Sequence, residues 1–313
     1  MSAKAAVPCY DDLPELGQSG VRHAWQVWGP GDRLGTMNRV TGHTVLAALS
    51  VPRQGRRISL CLPLDFLRPP LYGRKEFGHR VFDRNRNMVE DEITGLDPQA
   101  SSQWDSLRHI RAGSFGHYGG LAADDPAVPE LGIDGLSRFG LVFRAVLLDL
   151  PAFWAARGQV VDPLSEYPVT ADDLQACARH QRTVVRAGDL LLVRTGWLAA
   201  YRSAGGVPAE SLDMPPSAGL EGSAATARLL WDLGVSAVAA DNPAVEALPG
   251  DPAIGSLHRR LIAALGMPLG ELWDLDELAE ACDRQGSYEA CVMAAPLRVP
   301  GGVASPANAL AII

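Results

Sequence analysis

No segment of the chain is apolar for the length of a membrane span, and the N-terminal MSAKAAVPCYDDLPELGQSG lacks the apolar stretch of a signal peptide. A cytoplasmic protein with no membrane partner is therefore expected. The charge balance is mildly acidic, a formal net charge of -8, and there is no long basic run. Nothing supplies the phosphate-neutralising patch that DNA or RNA binding needs, so nucleic acid is not an expected partner. Cysteine pairs at C-x-x-C spacing are absent, and the five cysteines (Cys9, Cys61, Cys177, Cys282 and Cys291) are odd in number and scattered. They read as reduced packing thiols rather than a disulfide framework, a metal knuckle or a nucleophile. G-x-S-x-G, H-E-x-x-H, a Walker loop and a G-x-G-x-x-G opening a helix after a strand are all missing, which removes most of the weight from serine-hydrolase, zincin, kinase and classical NAD-enzyme readings.

What is present is an alternation of short apolar runs with amphipathic segments. RRISLCLPL places Ile58, Leu60 and Leu62 on one face at period two and reads as a strand. GLVFRAVLLDL, DLLLVRTGW, VSAVAADNP and EACVMAAPLRV are continuous apolar runs ended by Pro, Gly or Asp, the pattern of strands buried on both faces. Between them, TADDLQACARH starts with Thr170 and Asp173 at capping-box spacing. SAATARLLWDLG puts Leu229, Leu230 and Leu233 on one side and stops at Gly234, and SLHRRLIAALGMP stops in the same way at Gly266. Interleaved strands and helices predict an α/β protein.

From about Pro69 to Asp134 the pattern weakens into a loop-rich stretch with aromatic residues, Gly and His, the composition of a functional loop rather than a disordered one. It contains QASSQWDSLRH. If Ser101 or Ser102 caps a helix there, Asp105 and His109 fall at i and i+4 on one face, with Gln99 and Gln103 close by. Spacing alone leaves two readings open, a ligand and general acid/base pair or a hydrogen-bonded surface turn. His258, flanked by Leu257, Leu261, Ile262 and Leu265, is followed past the turn at Gly266 by Glu271, and the two can converge on one point. Composition alone favours the other reading, a satisfied His at the edge of the core with a solvated Glu. HYGG, with His117 and Tyr118, allows a close backbone approach to a ligand or is only a turn; in DNPAVE, Asp241 ends a buried strand and Glu246 reads as structural. His23, His43, His79 and His180 have no organised neighbours.

Taken together, these segments resemble the cyclase family of metal-dependent hydrolases, which includes bacterial kynurenine formamidase and isatin hydrolase. QASSQWDSLRH lies position for position on that family's H-x-G-T-H-x-D-x-P-x-H hallmark, and LHRRLIAALGMPLGELWDLDELAEAC resembles its second block. GDLLLVRTGW, DNPAVE, PLRVPGGVASPANALAI and, in the manner of a longer-chain branch, AWQVWGPGDRLGTMN resemble further family segments, so nearly the whole chain is covered.

The resemblance implies a single cyclase-like domain over residues 1–313 with the loop-rich insertion near 69–134 carrying part of the site. It implies the family's swivelling β/β/α arrangement, a mixed sheet core with surrounding helices, assembled as a homodimer or homotetramer. Gln99 and Gln103 take the places of two metal-binding histidines, Asp105 that of the metal-binding carboxylate and His109 that of the catalytic histidine; His258 and Glu271 match the second block's ligands. Amide oxygens are poor donors to zinc but tolerable to harder ions, so the implied cofactor is a divalent metal, Mn or Zn, or none. The implied reaction is hydrolysis of an amide, lactam or lactone of a small aromatic or cyclic molecule, with Trp104, Phe115, Tyr118 and Trp25 as candidate substrate-binding walls. Without metal, His109 and Glu271 become the acid and base of a cyclisation or dehydration. A non-catalytic small-molecule-binding relative is the third alternative. AWQVWG is either an interface or pocket lid, or a packing anchor within its own chain.

Overall fold

A computed structural model describes residues 6–313; residues 1–5, at the head of the stretch read for a signal peptide, lie outside the described residues. In chain order the strands are β1 (Arg57–Ser59), β2 (Gly78–Asn85), β3 (Met88–Gly95), β4 (Gln103–Asp105), β5 (Leu141–Asp149), β6 (Tyr167–Val169), β7 (Leu190–Arg194), β8 (Ala218–Leu220), β9 (Ala237–Ala240), β10 (Leu269–Glu271), β11 (Glu289–Ala294), β12 (Ala304–Pro306) and β13 (Ala309–Ile312). A nine-stranded sheet runs β1-β13-β11-β5-β7-β9-β10-β4-β12. Its centre, from β5 through β7 and β9 to β10, is parallel, and both flanks are antiparallel. This is the α/β arrangement that the alternation of runs predicts, with the mixed sheet core that the family resemblance implies.

The continuous apolar runs have a direct cause, because the sheet is buried on both faces. Val146 and Leu148 of β5, Leu191 and Val193 of β7, and Val238 and Ala240 of β9 enter one core cluster. Their alternate neighbours Ala145, Leu147, Leu190, Leu192, Ala237 and Ala239 enter the other. Helices cover the sheet where the caps predict. Thr170 and Asp173 form a reciprocal capping box at the start of Ala171–His180, and Ser223 caps Ala224–Asp232, which stops at Gly234 with φ 78°. Among the described residues no helix is long and apolar enough to cross a membrane.

Three local expectations change. The stretch 69–134 is not simply loop, since β2 and β3 pair antiparallel as a two-stranded ribbon with mostly exposed side chains on both faces. A ribbon wet on both sides has no apolar alternation to read. The segment after Ser102 is strand β4, not a helix. The chain after His258 is a π-helical segment, Arg259–Leu265, ended by Gly266 in the left-handed conformation. That ending allows a close backbone approach: a Cβ on Gly35 would lie 1.9 Å from the Gly266 carbonyl oxygen, so the N-terminal GPGDRLGTMN run packs directly on the end of the His258 segment.

Candidate active site

Strand alternation builds the first half of the site. Successive side chains of β4 point to opposite faces, so Gln103 and Asp105 share one face and Trp104 the other. β10 pairs antiparallel with β4 in a register that sets Glu271 opposite Gln103 and Leu269 opposite Asp105. The Gln103 side-chain amide donates from Nε2 to Glu271 Oε2 at 2.5 Å and, longer, to Asp105 Oδ2 at 3.4 Å. Gln99, from the loop before β4, donates from its own Nε2 to Asp105 Oδ1 at 2.8 Å.

His258 and Glu246 build the second half. The His258 ring sits between two carboxylates, with Nε2 2.9 Å from Glu271 Oε1 and Nδ1 2.7 Å from Glu246 Oε1. Glu246 also accepts from the Leu257 backbone N–H and the Ser256 hydroxyl, which ties the start of the His258 segment to the DNPAVE turn. His109 stands beside this pair, its ring centroid 6.2 Å from that of His258 and edge-on to it. Its ring nitrogens lie 3.4 and 3.5 Å from the Gln99 amide nitrogen.

The electrostatics follow from burial and pairing. Asp105 is fully buried, and desolvation, with the Glu271 charge adding to it, pushes its pKa to about 6 against the opposing pull of His109 and His258. Burial alone would lower the His258 pKa, but hydrogen bonds and charge from Glu246 and Glu271 hold it well above the ordinary value. Burial works against Glu246 ionising too, yet its bond to His258 brings its pKa below the usual carboxylate range. Backbone strain marks the same place. Of five non-glycine residues at positive φ, Tyr72 lines the pocket, Val245 precedes Glu246 and Leu272 follows Glu271.

These groups open into a cavity of about 350 Å³, at the small end of ligand pockets, lined by His109, His258, Glu246, Glu271, Tyr72 and Arg74 with an apolar wall that includes Met214 and Leu248. Asp105, His109 and His258 offer ligand atoms that all lie within 4.8 Å of one another. The Gln103 side-chain oxygen is buried without a hydrogen-bond partner beside them. An orphaned oxygen, two carboxylates and an imidazole whose Nδ1 is already held by Glu246 suit a divalent cation, which needs Nε2 free of its proton.

The structure thus brings Gln99, Gln103, Asp105, His109, His258 and Glu271 together, and it does not bring the four aromatic candidates to them. Trp104 is buried on the opposite face of β4, its ring 4.9 Å from that of Trp273. Tyr118 is buried and donates its hydroxyl to Asp32 at 3.0 Å. Trp25 donates its indole N–H to the Ala263 carbonyl at 2.8 Å, and Trp28 packs edge-on to Trp231, so both tryptophans of AWQVWG anchor within their own chain. Phe115 is 41% exposed and faces Gly17, outside the cavity lining. Asp241 is committed to the Thr195–Gly196 turn, accepting from both backbone amides. Tyr72, Arg74, Glu246 and Arg259 are pocket residues that sequence reasoning missed as site members. Of these, Glu246 and Arg259 carried a signal, their places in runs resembling family segments.

The chain matches a family model described as a putative cyclase over residues 33–247. A solved structure described as a novel cyclase superposes with a TM-score of 0.80 at 28% identity, covering 93% of this chain and 99% of that one. Isatin hydrolase A from Labrenzia aggregata, bound to benzyl benzoate, gives 0.57 at 19% identity over 82% and 93% of the two chains. An isatin hydrolase bound to the product analogue thioisatinate gives 0.58 at 17% over 88% and 99%. At those identities the two isatin hydrolases share the fold. No curated protein matches the chain.

Proposed function

The chain belongs to the putative cyclase family, and from that premise we propose that it hydrolyses an amide, lactam or lactone bond of a small molecule in the cavity where Asp105, His109, His258 and Glu271 converge. That convergence carries the reading: four titratable groups from β4, the loop after it, the residue before the π-helical segment and β10 meet at the floor of one pocket, with Asp105 buried behind its lining. Asp105, His258 and Glu271, with the orphaned Gln103 oxygen, would hold a divalent cation, and an oxygen-rich set of this kind favours manganese over zinc. Such an ion, when bound, supplies Lewis-acid polarisation of the carbonyl and a water of lowered pKa.

The chain's own residues do the rest. His109 is half-buried at the pocket, and among the described residues its ring nitrogens have only the long contacts to Gln99, which leaves it the group free to move a proton. It takes the proton of the attacking water as the new C–O bond forms and returns it to the leaving nitrogen or oxygen as the old bond breaks. Glu246 fixes the His258 tautomer through Nδ1, and Gln99 orients the Asp105 carboxylate.

One observation favours a second reading. With a proton on His258 between Glu246 and Glu271 and amides donating to Asp105 and Glu271, each of the three carboxylates has a donor without a cation. In that state His109 and Glu271 can serve as acid and base in a cyclisation or dehydration.

Elemental analysis of protein purified without chelator, alongside turnover of a lactam and lactone panel, tests the proposal. One manganese or zinc per chain, lost together with hydrolysis in Asp105→Ala, supports it. Folded protein that never takes up metal and never opens a ring sinks it and leaves the second reading.

A further inference from the structure

The pocket holds two guanidinium groups that the hydrolytic scheme does not use. Arg74 reaches it from the Leu71–Gly73 turn and Arg259 from the residue after His258. Some arginines elsewhere in the fold, such as Arg39 and Arg108, donate to backbone carbonyls, while others are spent on carboxylates: Arg144 on Asp189 and Glu289, Arg194 on Asp149 and Asp276, Arg202 on Asp274 and Asp276. Arg74 instead donates from Nη1 to the Gln99 carbonyl and lies 4.7 Å over the Tyr72 ring, and among the described residues it has no carboxylate within 4.0 Å. A carbonyl contact and a stack fix its position without neutralising its charge. Arg259 is exposed and likewise unpaired among the described residues. Its neighbour Arg260 turns away, to the carbonyls of Gly222 and Ile254, while Arg259 lines this pocket and the adjoining one beside Pro249 and Asp251.

Two uncompensated cations at the rim of a pocket whose floor is acidic make a steep local contrast. Asp105, Glu246 and Glu271 repel any anion that approaches the reacting centre, and a neutral substrate gains less from an arginine than an anionic one does. The arrangement is suited to a molecule that presents its negative group to the rim and its carbonyl to the floor. The turn that carries the first arginine is itself held under strain, with Tyr72 at φ 61° and ψ 30° and its amide tied to the Leu212 carbonyl at 2.8 Å. The apolar wall at Met214 and Leu248 takes the body between the two ends.

We infer that the pocket selects a small substrate bearing its own carboxylate at a distance from the scissile carbonyl, with Arg74 and Arg259 as the groups that bind it. This rests on the hydrolase reading for which end reacts, but the anion binding is independent of turnover. Charge-assisted hydrogen bonds from guanidinium to carboxylate are worth about 1.5–3 kcal/mol, which is roughly 10- to 100-fold in affinity.

Calorimetric titration of the EDTA-treated full chain with phenylacetate and with its neutral isostere phenylacetamide tests the inference; chelation ensures that no cation captures the carboxylate. Phenylacetate should bind more tightly than phenylacetamide, with roughly 10-fold or greater loss in Arg74→Gln and in Arg259→Gln. Arg260→Gln should leave the affinity unchanged. Equal affinity for the two compounds, no phenylacetate binding by the wild-type chain, or phenylacetate binding untouched in Arg259→Gln overturns it; that exposed residue can be changed without threatening the fold. His109→Asn separates the two readings, since it should abolish turnover while retaining phenylacetate. Failure of the hydrolase reading appears only as missing turnover, and failure of the anion reading only in the titrations.

Discussion

Two buried charged clusters lie in the same sheet and are built to opposite ends. Arg144 of β5 is 4% exposed and is held by Asp189 and by both oxygens of Glu289, beside the larger cavity of about 580 Å³. There the guanidinium fork meets carboxylates of matching geometry and its remaining donor reaches the Val184 carbonyl. Around Asp105 and Glu271 two carboxylates share the His258 imidazole, Asp105 is hydrogen-bonded by neutral amides, an amide oxygen is orphaned, and Asp105 is pushed to about 6 by its burial. The first cluster gains nothing from a further partner. The second stays strained until a cation or a proton joins it, and that difference, not cavity size, separates the pocket that can do chemistry from the one that cannot.

The comparison breaks most decisively at the acid cluster. Asp105→Asn should abolish cation uptake and lower turnover by about 10³-fold or more, within the range spanned by lost proton transfer and lost charge stabilisation, without lowering the melting temperature. An active Asp105→Asn enzyme would put the chemistry elsewhere. Arg144→Ala should do the reverse, costing about 3–5 kcal/mol of stability because it strands buried carboxylates. Its turnover below the new melting temperature should be near wild type, as urea unfolding and an activity assay on one preparation would show.

Glu246→Gln sharpens the contrast on a smaller scale. A partner that holds a ligand through its second nitrogen is worth about 10–100-fold in metal affinity or activity, read by competition with a chelating dye; no change would make Glu246 a helix-capping residue only. Because His258 is protonated between its carboxylates, cation binding should also expel a proton, visible as a dependence of the binding heat on the buffer's ionisation enthalpy. The smallest effect is in stability against pH. The Asp105 pKa is raised from 3.8 to about 6, so the fold favours the protonated form; that contribution is complete below 3.8 and lost as pH rises through about 6. Metal-free Asp105→Asn should therefore gain on wild type in melting temperature across that window, and parallel curves would contradict the assigned burial cost.

Much of this was legible one residue at a time. The apolar runs announced β5, β7, β9 and β11 because both faces of the sheet are buried, and Thr170 with Asp173 announced a helix start because capping is local. His258 and Glu271 were legible as a convergent pair because one short helical segment and the turn at Gly266 bring the chain back on itself between them. The exposed ribbon β2–β3 was not, because its pairing leaves no apolar pattern. Nor were Tyr72 and Arg74, on a short turn with no motif.

The residue types of the site, amides in place of two imidazoles beside the retained carboxylates and histidines, were determined by the sequence alone, since donor chemistry belongs to the side chain and not to its surroundings. Which way those side chains point was decided by the tertiary structure. Gln103, Trp104 and Asp105 form a strand only because β10 and β12, from far along the chain, supply its hydrogen bonds. With that pairing the spacing that matters is i and i+2, Trp104 turns into the core, and Gln103 meets Glu271 across the ladder. Three residues have too little intrinsic preference to choose strand over helix, so partners brought from a distance make the choice.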